Sequence, residues 1–275
     1  MSQIILLTGA TGFVGRQVLT ALLGNSAKLR LIVREGKQGQ FLAGEKVEKI
    51  LVTADLFSEP QSWWENACEG VDTVIHVAWY VEPGKYLHSP RNLDCLSGTL
   101  ALAKACEKAG VRRFVGVGTC SEYDMGLGFL STLSPLKPVT SYAATKAAAF
   151  IALSQFFERA GVEFAWCRLF YLYGEGEDER RLVPYIRLRL AAGKIAKLSS
   201  GKQIRDFMDV QQAGKLIFDV ARGIHVGPVN ICSEIPITLR AFAEKIADEY
   251  GRRDLLRFGA RPDSPFDPLC VVGVR

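Results

Sequence analysis

The sequence lacks the cysteine and histidine patterns that bind metals or form disulfide frameworks. Its 275 residues include seven cysteines but no CxxC pair, and its three histidines stand alone. Zinc sites and disulfide-rich domains need paired cysteines or closely spaced histidines, so we expect neither a metal site nor structural disulfides. An odd number of irregularly spaced cysteines is typical of a reducing compartment, and we therefore expect a cytoplasmic protein.

Long apolar runs and clusters of like charge are also missing. No stretch approaches the roughly 20 apolar residues that cross a bilayer, and the N-terminus has no basic region ahead of an apolar one. We therefore expect no membrane association and no signal peptide. The 34 Lys and Arg outnumber the 29 Asp and Glu, but they are scattered along the chain. This pattern is typical of a solvated surface and does not indicate a nucleic-acid partner.

The first two thirds of the chain alternates short β-branched runs with longer amphipathic stretches. Buried strands separated by helices predict an α/β fold, a doubly wound (Rossmann) parallel sheet covered on both faces. The predicted strands are Ile4–Thr8, Leu29–Val33, Val47–Val52, Thr73–Val77, Arg113–Val117 and Glu163–Cys167, and the predicted helices are Gly12–Leu23, Gln61–Cys68, Leu93–Ala109 and Ser141–Ala160. The alternation loosens after Gly174. We interpret residues 1–174 as the Rossmann core and 175–275 mainly as a smaller, interleaved lobe with some segments returning to the core.

A glycine-rich loop follows the first predicted strand and opens the first predicted helix. Gly9 suits the tight turn, Gly12 lets backbone N–H groups approach a pyrophosphate, and Gly15 lets the helix lie close to the sheet. The other loop residues expected at the cofactor are Thr11, Phe13 and Val14. The GxxGxxG spacing differs from the GxGxxG of many dehydrogenases, but its place between strand and helix predicts a dinucleotide site. Glycines of a plain turn are the alternative.

Two positions further along bear on the choice of cofactor. Dinucleotide folds often carry an acidic residue after the second strand for the adenosine ribose, but this chain has Arg34 there, with Lys37 nearby. A guanidinium suits a 2′-phosphate, which favours NADP over NAD, and an exposed surface arginine is the alternative. After the third strand, Asp55 is placed to accept a hydrogen bond from the adenine amino group, with Leu56 beside it; capping of a helix is the alternative for Asp55.

A hydroxyl, a phenol and an ammonium form the candidate catalytic group. Tyr142 and Lys146 are four residues apart in a helix-forming segment, so both side chains can point into one cleft. A nearby cation lowers the pKa of a tyrosine from its reference value of about 10, which an acid/base at neutral pH requires. Thr119 ends the fifth predicted strand, at the edge where open α/β sheets bind ligands.

Together these motifs resemble the extended short-chain dehydrogenase/reductase family, and within it the nucleotide-sugar epimerase/dehydratase/ketoreductase group. The segments that carry the resemblance are TGATGFVG, VIHVA, RNLDCLSGT, SYAATK and GKQIRDFMDV. The resemblance covers about Gln3 to Asn230. It implies NADP or NAD as cofactor, a nucleotide-diphosphate sugar as substrate, and a homodimer formed through the helices Leu93–Ala109 and Ser141–Ala160. Burial of the apolar runs of these helices within one subunit is the alternative to the dimer.

The resemblance implies a role for each matching residue. Thr119 matches the Ser or Thr that hydrogen-bonds the reacting oxygen, and Tyr142 matches the acid/base. Lys146 matches the lysine that binds the nicotinamide ribose and lowers the tyrosine pKa. Arg205 matches the arginine that meets the substrate diphosphate, and Ala78 lies beside the cofactor. The other residues expected at the sugar are Trp79, Tyr80, Cys120, Ser121, Glu122 and Tyr171.

Departures from the family pattern narrow the expected reaction. The 4,6-dehydratases carry an Asp-Glu pair directly after the threonine, where this chain has Cys120 and Ser121. Epimerase-reductases of the GDP-fucose-synthase type carry a cysteine at the Ser121 position. We therefore expect neither dehydration nor ring epimerisation by proton abstraction. We interpret Cys120 as a packed thiol, with a nucleophile as the alternative, and Glu122 as a sugar contact or a solvated carboxylate. Tyr171 replaces the usual asparagine of strand six.

The leading hypothesis is an NADP-preferring ketoreductase or dehydrogenase acting at C4 of a 6-deoxyhexose on a nucleotide diphosphate. The nearest alternative is a 4-epimerase that retains NAD and returns the hydride to the opposite face. A third hypothesis is a non-catalytic, dinucleotide-sensing regulator on the same fold. Such regulators usually lose the tyrosine or the lysine, whereas this sequence keeps Tyr142 and Lys146.

Overall fold

The computed structural model describes residues 3–38, 46–265 and 267–275. Its strands in chain order are β1 Ile4–Thr8, β2 Lys28–Arg34, β3 Val47–Thr53, β4 Thr73–His76, β5 Arg113–Thr119, β6 Phe129–Leu130, β7 Glu163–Leu169, β8 Tyr171–Tyr173, β9 Ala196–Lys197, β10 Ile204–Asp209, β11 Gly227–Ile231, β12 Pro236–Thr238, β13 Leu256–Arg257 and β14 Cys270–Gly273. Its α-helices are α1 Phe13–Leu23, α2 Gln61–Cys68, α3 Arg91–Lys108, α4 Ser141–Ala160, α5 Leu182–Ala191, α6 Val210–Arg222 and α7 Leu239–Asp248. Every strand and helix that the sequence predicts is present, with ends within two residues of those predicted.

A seven-stranded parallel sheet forms the centre of the molecule. Its strand order is β11-β7-β5-β4-β1-β2-β3, so the chain winds outward in both directions from the β1–β4 pair. The α/β doubly wound prediction is confirmed. In such sheets the crevice at the carboxyl ends of the strands, where the winding reverses, is the expected ligand site.

Two hydrophobic cores cover the two faces of this sheet. On one face α1 and α6 pack through buried residues such as Val18 and Ile217. On the other face α2, α3 and α4 contribute Trp64, Leu102 and Phe157. Burying both faces explains why the central strands are almost continuously apolar, since neither face has to meet water. None of the helices in the described ranges combines the length and hydrophobicity that a bilayer crossing requires.

The C-terminal part of the chain contributes β11 to the large sheet and α6 to one of its faces. It also supplies most of a second, smaller sheet. The order of this sheet is β12-β10-β14-β6, and β8 pairs with the far end of β10. Its strand β6 comes from the long connection between β5 and α4, and β14 pairs with it in parallel. The C-terminal strand therefore anchors the connection that begins at the carboxyl end of β5.

Helix α4 begins and ends at residues that suit those positions. The Thr140 hydroxyl accepts a hydrogen bond from the N–H of Ala143, which caps the first turn. Gly161 closes the helix in the left-handed conformation with φ of 68°, which glycine adopts without steric cost. These ends fix where Tyr142 and Lys146 stand relative to the end of β5.

We predict that Gly15→Ala lowers the free energy of unfolding by about 3 kcal/mol, because an added methyl group overpacks a rigid site. A Cβ at Gly15 would lie 1.9 Å from the carbonyl oxygen of Gly9. Urea unfolding without cofactor measures the loss. Gly12→Ala is the matched control: its Cβ would lie 3.3 Å from the same oxygen, so we expect a loss below about 1 kcal/mol. Equal losses in the two variants would contradict the packing explanation.

Candidate active site

The loop between β1 and α1 is shaped to bind an anion. Gly9 has a φ of 77°, and a Cβ there would lie 2.8 Å from the backbone nitrogen of Ala78. Gly12, the capping residue of α1, has no side chain to accept from the first-turn N–H groups. Those donors and the helix dipole are left for a negatively charged group. The other predicted loop residues lie half-buried at the same turn: Thr11, Phe13 and Val14.

The two residues expected at the adenosine end have different surroundings. Arg34 ends β2 with an exposed side chain, and no residue in the described part of the chain pairs with it. Asp55 instead accepts from the N–H of Phe57 at 3.2 Å and forms a 2.8 Å ion pair with Arg91. Partial burial raises the pKa of Asp55, but these partners outweigh burial and lower it overall. Asp55 therefore caps the 3₁₀ turn that opens at half-buried Leu56, and an adenine contact stays a prediction.

Thr119 presents a hydroxyl at the carboxyl end of β5. Its Oγ1 accepts a hydrogen bond from the N–H of Ser121 at 3.3 Å. Its own N–H donates to the Glu122 carboxylate at 2.8 Å, so the residue is held on both sides. Because one lone pair of Oγ1 is used, the hydroxyl proton is available for donation toward the crevice.

Tyr142 lies half-buried in the first turn of α4, and its side chain interacts with that of Thr119. The ring of Tyr86 packs edge-to-face on it with centroids 4.9 Å apart. Burial raises the pKa of Tyr142 above its usual range; Tyr86 and Glu122 add to the increase, and Thr119 opposes it. Without a bound ligand the phenol is therefore protonated at neutral pH and can act as an acid.

Lys146 lies one turn further along α4 and is only 2% exposed. Its Nζ donates to the carbonyl of Val117 on β5, two residues before Thr119. The ring of Trp79 covers the ammonium with its centroid 3.8 Å from Nζ, while the indole N–H donates to Asn92 at 3.0 Å. Burial lowers the pKa of Lys146 from 10.5 to about 7. The structure thus brings Thr119, Tyr142 and Lys146 together at one edge of the sheet.

These features fit a dinucleotide, with one side chain in the way. The backbone N–H groups of the glycine loop are open to a pyrophosphate. The guanidinium at the end of β2 has no partner among the described residues and suits a ribose phosphate. The Trp79 ring, however, lies on the ammonium that a ribose would contact. For a ribose to reach Lys146, the indole has to turn away.

The expected substrate side is a small cavity beside β8, β10 and the start of α5. It has a volume of about 210 Å³, and its polar lining includes Tyr171, Glu177, Arg181 and Arg205. Arg205 is 3% exposed, lies 5.2 Å from the ring centroid of Tyr171, and pairs with Asp267 at 2.5 Å. Two guanidinium groups in one cavity suit an anionic ligand, which would compete with Asp267 for Arg205.

The other residues expected at the sugar have separate positions. Tyr80 is half-buried on the loop after β4, where its hydroxyl donates to Glu82 at 3.0 Å. Ser121 is half-buried beside Thr119, and the buried Cys120 packs in an apolar cluster with Phe170. Burial raises the pKa of the Cys120 thiol to about 12. The packed-thiol interpretation agrees with this environment, since a nucleophile needs thiolate.

The interpretation of Glu122 as a sugar contact or a solvated carboxylate is wrong. Glu122 is fully buried. Its carboxylate accepts from Arg168 Nε at 2.7 Å and from Trp166 Nε1 at 3.0 Å, so neither oxygen is left for a ligand. A signal of this burial was present in β5: a Cβ at Gly116 or Gly118 would lie 2.3 or 2.2 Å from the Trp166 ring. Alternate glycines in a central strand mark the space that a neighbouring large side chain fills.

The described part of the chain groups no metal-ligating side chains at this site. Within the described ranges no three His, Cys, Asp or Glu side chains are placed to hold a metal ion. His76, at the end of β4, is fully buried between Thr8 and Thr99, with its ring nitrogens 2.9 and 3.0 Å from their hydroxyls. Burial, together with the charge of Lys146, lowers the pKa of His76 to about 3, so the imidazole is neutral.

Comparisons with known proteins agree with this architecture. The model of the NAD dependent epimerase/dehydratase family matches residues 5–232. A curated relative, dTDP-6-deoxy-L-talose 4-dehydrogenase (NAD(+)) of Aggregatibacter actinomycetemcomitans, is 22% identical over 284 residues, which cover 98% of this chain and 99% of the relative.

Two solved structures show the same fold. UDP-N-acetylglucosamine 4-epimerase from Methanobrevibacter ruminantium, in complex with UDP-N-acetylmuramic acid, superimposes with a TM-score of 0.86. It is 21% identical, and the match covers 99% of this chain and 89% of that one. UDP-glucose 4-epimerase from Thermus thermophilus, in complex with NAD, gives a TM-score of 0.82 at 20% identity, over 99% and 90% of the two chains.

We predict that Cys120 is unreactive in the folded protein. With its pKa raised to about 12, its thiolate fraction at neutral pH is about a thousandfold below that of an unperturbed cysteine. A water-soluble maleimide should therefore label the half-buried Cys270 and leave Cys120 unmodified, as measured by peptide mass spectrometry. Cys270→Ser is the control and should remove the fast label. Labelling of Cys120 at the rate of Cys270 would revive the nucleophile alternative.

Proposed function

The chain belongs to the NAD dependent epimerase/dehydratase family, and from that premise we propose that it transfers a hydride at C4 of a nucleotide-diphosphate-linked (4-keto-)6-deoxyhexose. The observation that carries the proposal is that Thr119, Tyr142 and Lys146 lie together at one edge of the sheet. Neither of the two residues that follow the threonine is a carboxylic acid. This set provides for redox chemistry at a carbon bearing oxygen. It has no acid–base pair to eliminate water or to move a ring proton.

The three side chains divide the work of proton transfer. Tyr142, protonated at neutral pH because burial raises its pKa, gives its proton to the C4 oxygen as that oxygen becomes an alkoxide. Thr119 donates its hydroxyl proton to the same oxygen and so fixes its position. Lys146 supplies the positive charge that brings the pKa of the phenol back toward neutrality. A nicotinamide cofactor, when bound, supplies or accepts the hydride.

The residues after Thr119 support reduction or oxidation over dehydration. Elimination of water needs a group that protonates the leaving hydroxyl and a base for the neighbouring proton. Cys120 has a pKa raised to about 12 by burial, and Ser121 is a neutral hydroxyl. Neither exchanges protons readily at neutral pH. The relative of matching length that is named a 4-dehydrogenase supports the same reaction class.

A nucleotide-sugar 4-epimerase is the second candidate. Both solved structures described above are named 4-epimerases, and an epimerase would use Thr119, Tyr142 and Lys146 in the same way. The two reactions differ in their need for cofactor. An epimerase that retains its cofactor converts its sugar with none added, whereas a ketoreductase consumes one equivalent for each turnover.

We also propose NADP as the preferred cofactor. Arg34 ends β2 with an exposed guanidinium, which suits a ribose 2′-phosphate better than a 2′-hydroxyl. The related dehydrogenase and the Thermus thermophilus epimerase are named with NAD, so NAD is the alternative. The cytoplasmic location stays a prediction.

A homodimer through α3 and α4 is part of the proposal. The two helices pack against each other, and each exposes a large apolar side chain, Leu93 at 62% and Ile151 at 56%. Their other large apolar residues are buried or half-buried within the subunit. The exposed side chains of Leu93 and Ile151 support the packing of these helices against a second copy.

We predict cofactor oxidation when the protein is mixed with NADPH and a 4-keto-6-deoxy sugar nucleotide. Tyr142→Phe should lower kcat by about 10²–10⁴-fold, because the proton donor is lost. It should leave NADPH affinity, measured by fluorescence, unchanged. Tyr250→Phe, at the surface beyond α7, is the matched control and should be fully active.

Three results would contradict this proposal. If no member of a panel of 4-keto-6-deoxy sugar nucleotides oxidises NADPH or NADH, the ketoreductase assignment fails. Conversion of a UDP- or dTDP-hexose to its C4 epimer without added cofactor would establish the epimerase. Full biological activity of Tyr142→Phe would favour the regulator hypothesis.

We predict that Arg34→Ala weakens NADPH binding about tenfold or more, since it removes a charge-assisted hydrogen bond to the 2′-phosphate. Binding of NADH should not change, because NADH has no such phosphate. Titration of intrinsic fluorescence with each cofactor measures both affinities. Lys28→Ala, an exposed change at the other end of β2, is the control. Equal affinity of the wild-type protein for NADPH and NADH would contradict the preference.

A further inference from the structure

We propose that Glu122 is a positioning residue that holds Thr119 in place and supplies the negative charge that faces Lys146. The inference rests on the proposed function, in which Thr119 and Lys146 act at the reacting centre. Glu122 touches neither substrate nor cofactor, because it is fully buried behind the crevice. It is a carboxylate enclosed by the core and directed at the back of the site.

The surroundings of the Glu122 carboxylate consist of N–H donors. Oε1 accepts from the Thr119 N–H at 2.8 Å and from Trp166 Nε1 at 3.0 Å. Oε2 accepts from Arg168 Nε at 2.7 Å and lies 3.2 Å from the same indole nitrogen. Only a group that accepts at both oxygens satisfies this arrangement. A glutamine would turn its NH₂ toward one of these donors, so the arrangement specifies a carboxylate.

Arg168, which pairs with Glu122, is itself held in place by its neighbours. Its guanidinium lies between the rings of Tyr123 and Phe150, at 4.5 and 4.4 Å from their centroids. Its Nη1 donates to the Tyr123 hydroxyl at 2.9 Å. The Arg168 guanidinium pairs with the Glu122 carboxylate at 2.7 Å, and both groups are enclosed away from water. The carboxylate and its counter-ion are therefore both part of the interior.

The first consequence concerns the Thr119 hydroxyl. The Thr119 backbone is tied to Glu122 through its N–H, while its Oγ1 accepts from Ser121. The two bonds form a reciprocal capping arrangement over one short turn. Together they set the Thr119 rotamer and leave its hydroxyl proton directed into the crevice, on the side of Tyr142.

The second consequence concerns the Lys146 ammonium. The Trp166 ring, whose N–H donates to Glu122, has its centroid 5.7 Å from Lys146 Nζ, so the same indole neighbours both groups. Burial disfavours the ammonium, and Glu122 acts against burial by favouring the cation.

The other titratable groups that face Lys146 are neutral near pH 7. Cys95 on α3 also favours the cation, but burial raises the pKa of its thiol to about 11. His76 on β4 is neutral because its pKa is lowered to about 3. Tyr142 on α4 is a protonated phenol. Within the described residues, Glu122 is thus the anion that sustains the ammonium.

The test is the titration of Lys146 in the free protein, which needs neither substrate nor cofactor. Carbon-13 NMR of lysine-labelled protein follows the side chain, and loss of the signal in Lys146→Met assigns it. In Glu122→Gln we expect the midpoint to move about one pH unit lower, since the ammonium loses its counter-charge. Glu158→Gln, an exposed change on α4, is the matched control and should leave the midpoint in place.

The rate measurement follows once turnover is established. In Glu122→Gln the alkaline limb of kcat should move lower by the same amount as the lysine midpoint. The KM for the sugar nucleotide should change little, because Glu122 does not contact it. If the substitution only destabilised the site, kcat would fall at every pH and the alkaline limb would keep its position. Failure of the wild-type protein to turn over would refute the proposed function and leave the lysine titration interpretable.

A second variant covers the case in which Glu122→Gln does not fold. Glu122→Asp keeps the charge but withdraws it from the Thr119 N–H by one methylene. We expect its lysine midpoint to match the wild-type protein while kcat falls about tenfold or more, the effect of misplacing one transition-state donor. An unchanged lysine midpoint in folded Glu122→Gln, or wild-type kcat in Glu122→Asp, would overturn the proposal.

Discussion

The buried ion pair between Glu122 and Arg168, at the carboxyl ends of β5 and β7, holds the candidate site to the rest of the molecule. From Arg168 the polar chain continues through the Tyr123 hydroxyl to Asn230 on β11. The Asn230 amide then donates to backbone carbonyls of β6 and of the residue after β14. Removing one partner of such a pair costs about 3–5 kcal/mol, because the other charge is left buried and uncompensated. The edge of the large sheet, the loop after β5 and the small sheet therefore depend on one set of contacts.

Burial moves the two candidate catalytic groups toward their uncharged forms. It raises the pKa of Tyr142 and lowers that of Lys146. In the free protein both side chains therefore favour the uncharged form more strongly than they would in water. A site arranged in this way holds little net charge until a ligand and its counter-charges enter. The interior carboxylate of Glu122 then decides how much positive charge Lys146 retains.

The Rossmann core was readable from the sequence because its signals are local. Each long buried strand and its following helix carry their own periodicity, and the glycine loop after Ile4–Thr8 adds a turn signal. The short strands that follow β7 could not be predicted in this way. Strands of two or three residues, such as β8, β12 and β13, are too short to show a period. The burial of Glu122 depends on Trp166 and Arg168, which lie 44 and 46 residues away in the chain. An acidic residue in a polar loop gives no local sign of such partners.

The indole above Lys146 has a chemical consequence for the resting protein. An amine whose pKa lies near 7 is partly unprotonated in neutral solution, and an unprotonated lysine condenses with carbonyl compounds to form imines. Trp79 covers that nitrogen at 3.8 Å. Reducing sugars and other free aldehydes therefore cannot modify the resting protein at this position unless the ring first swings aside.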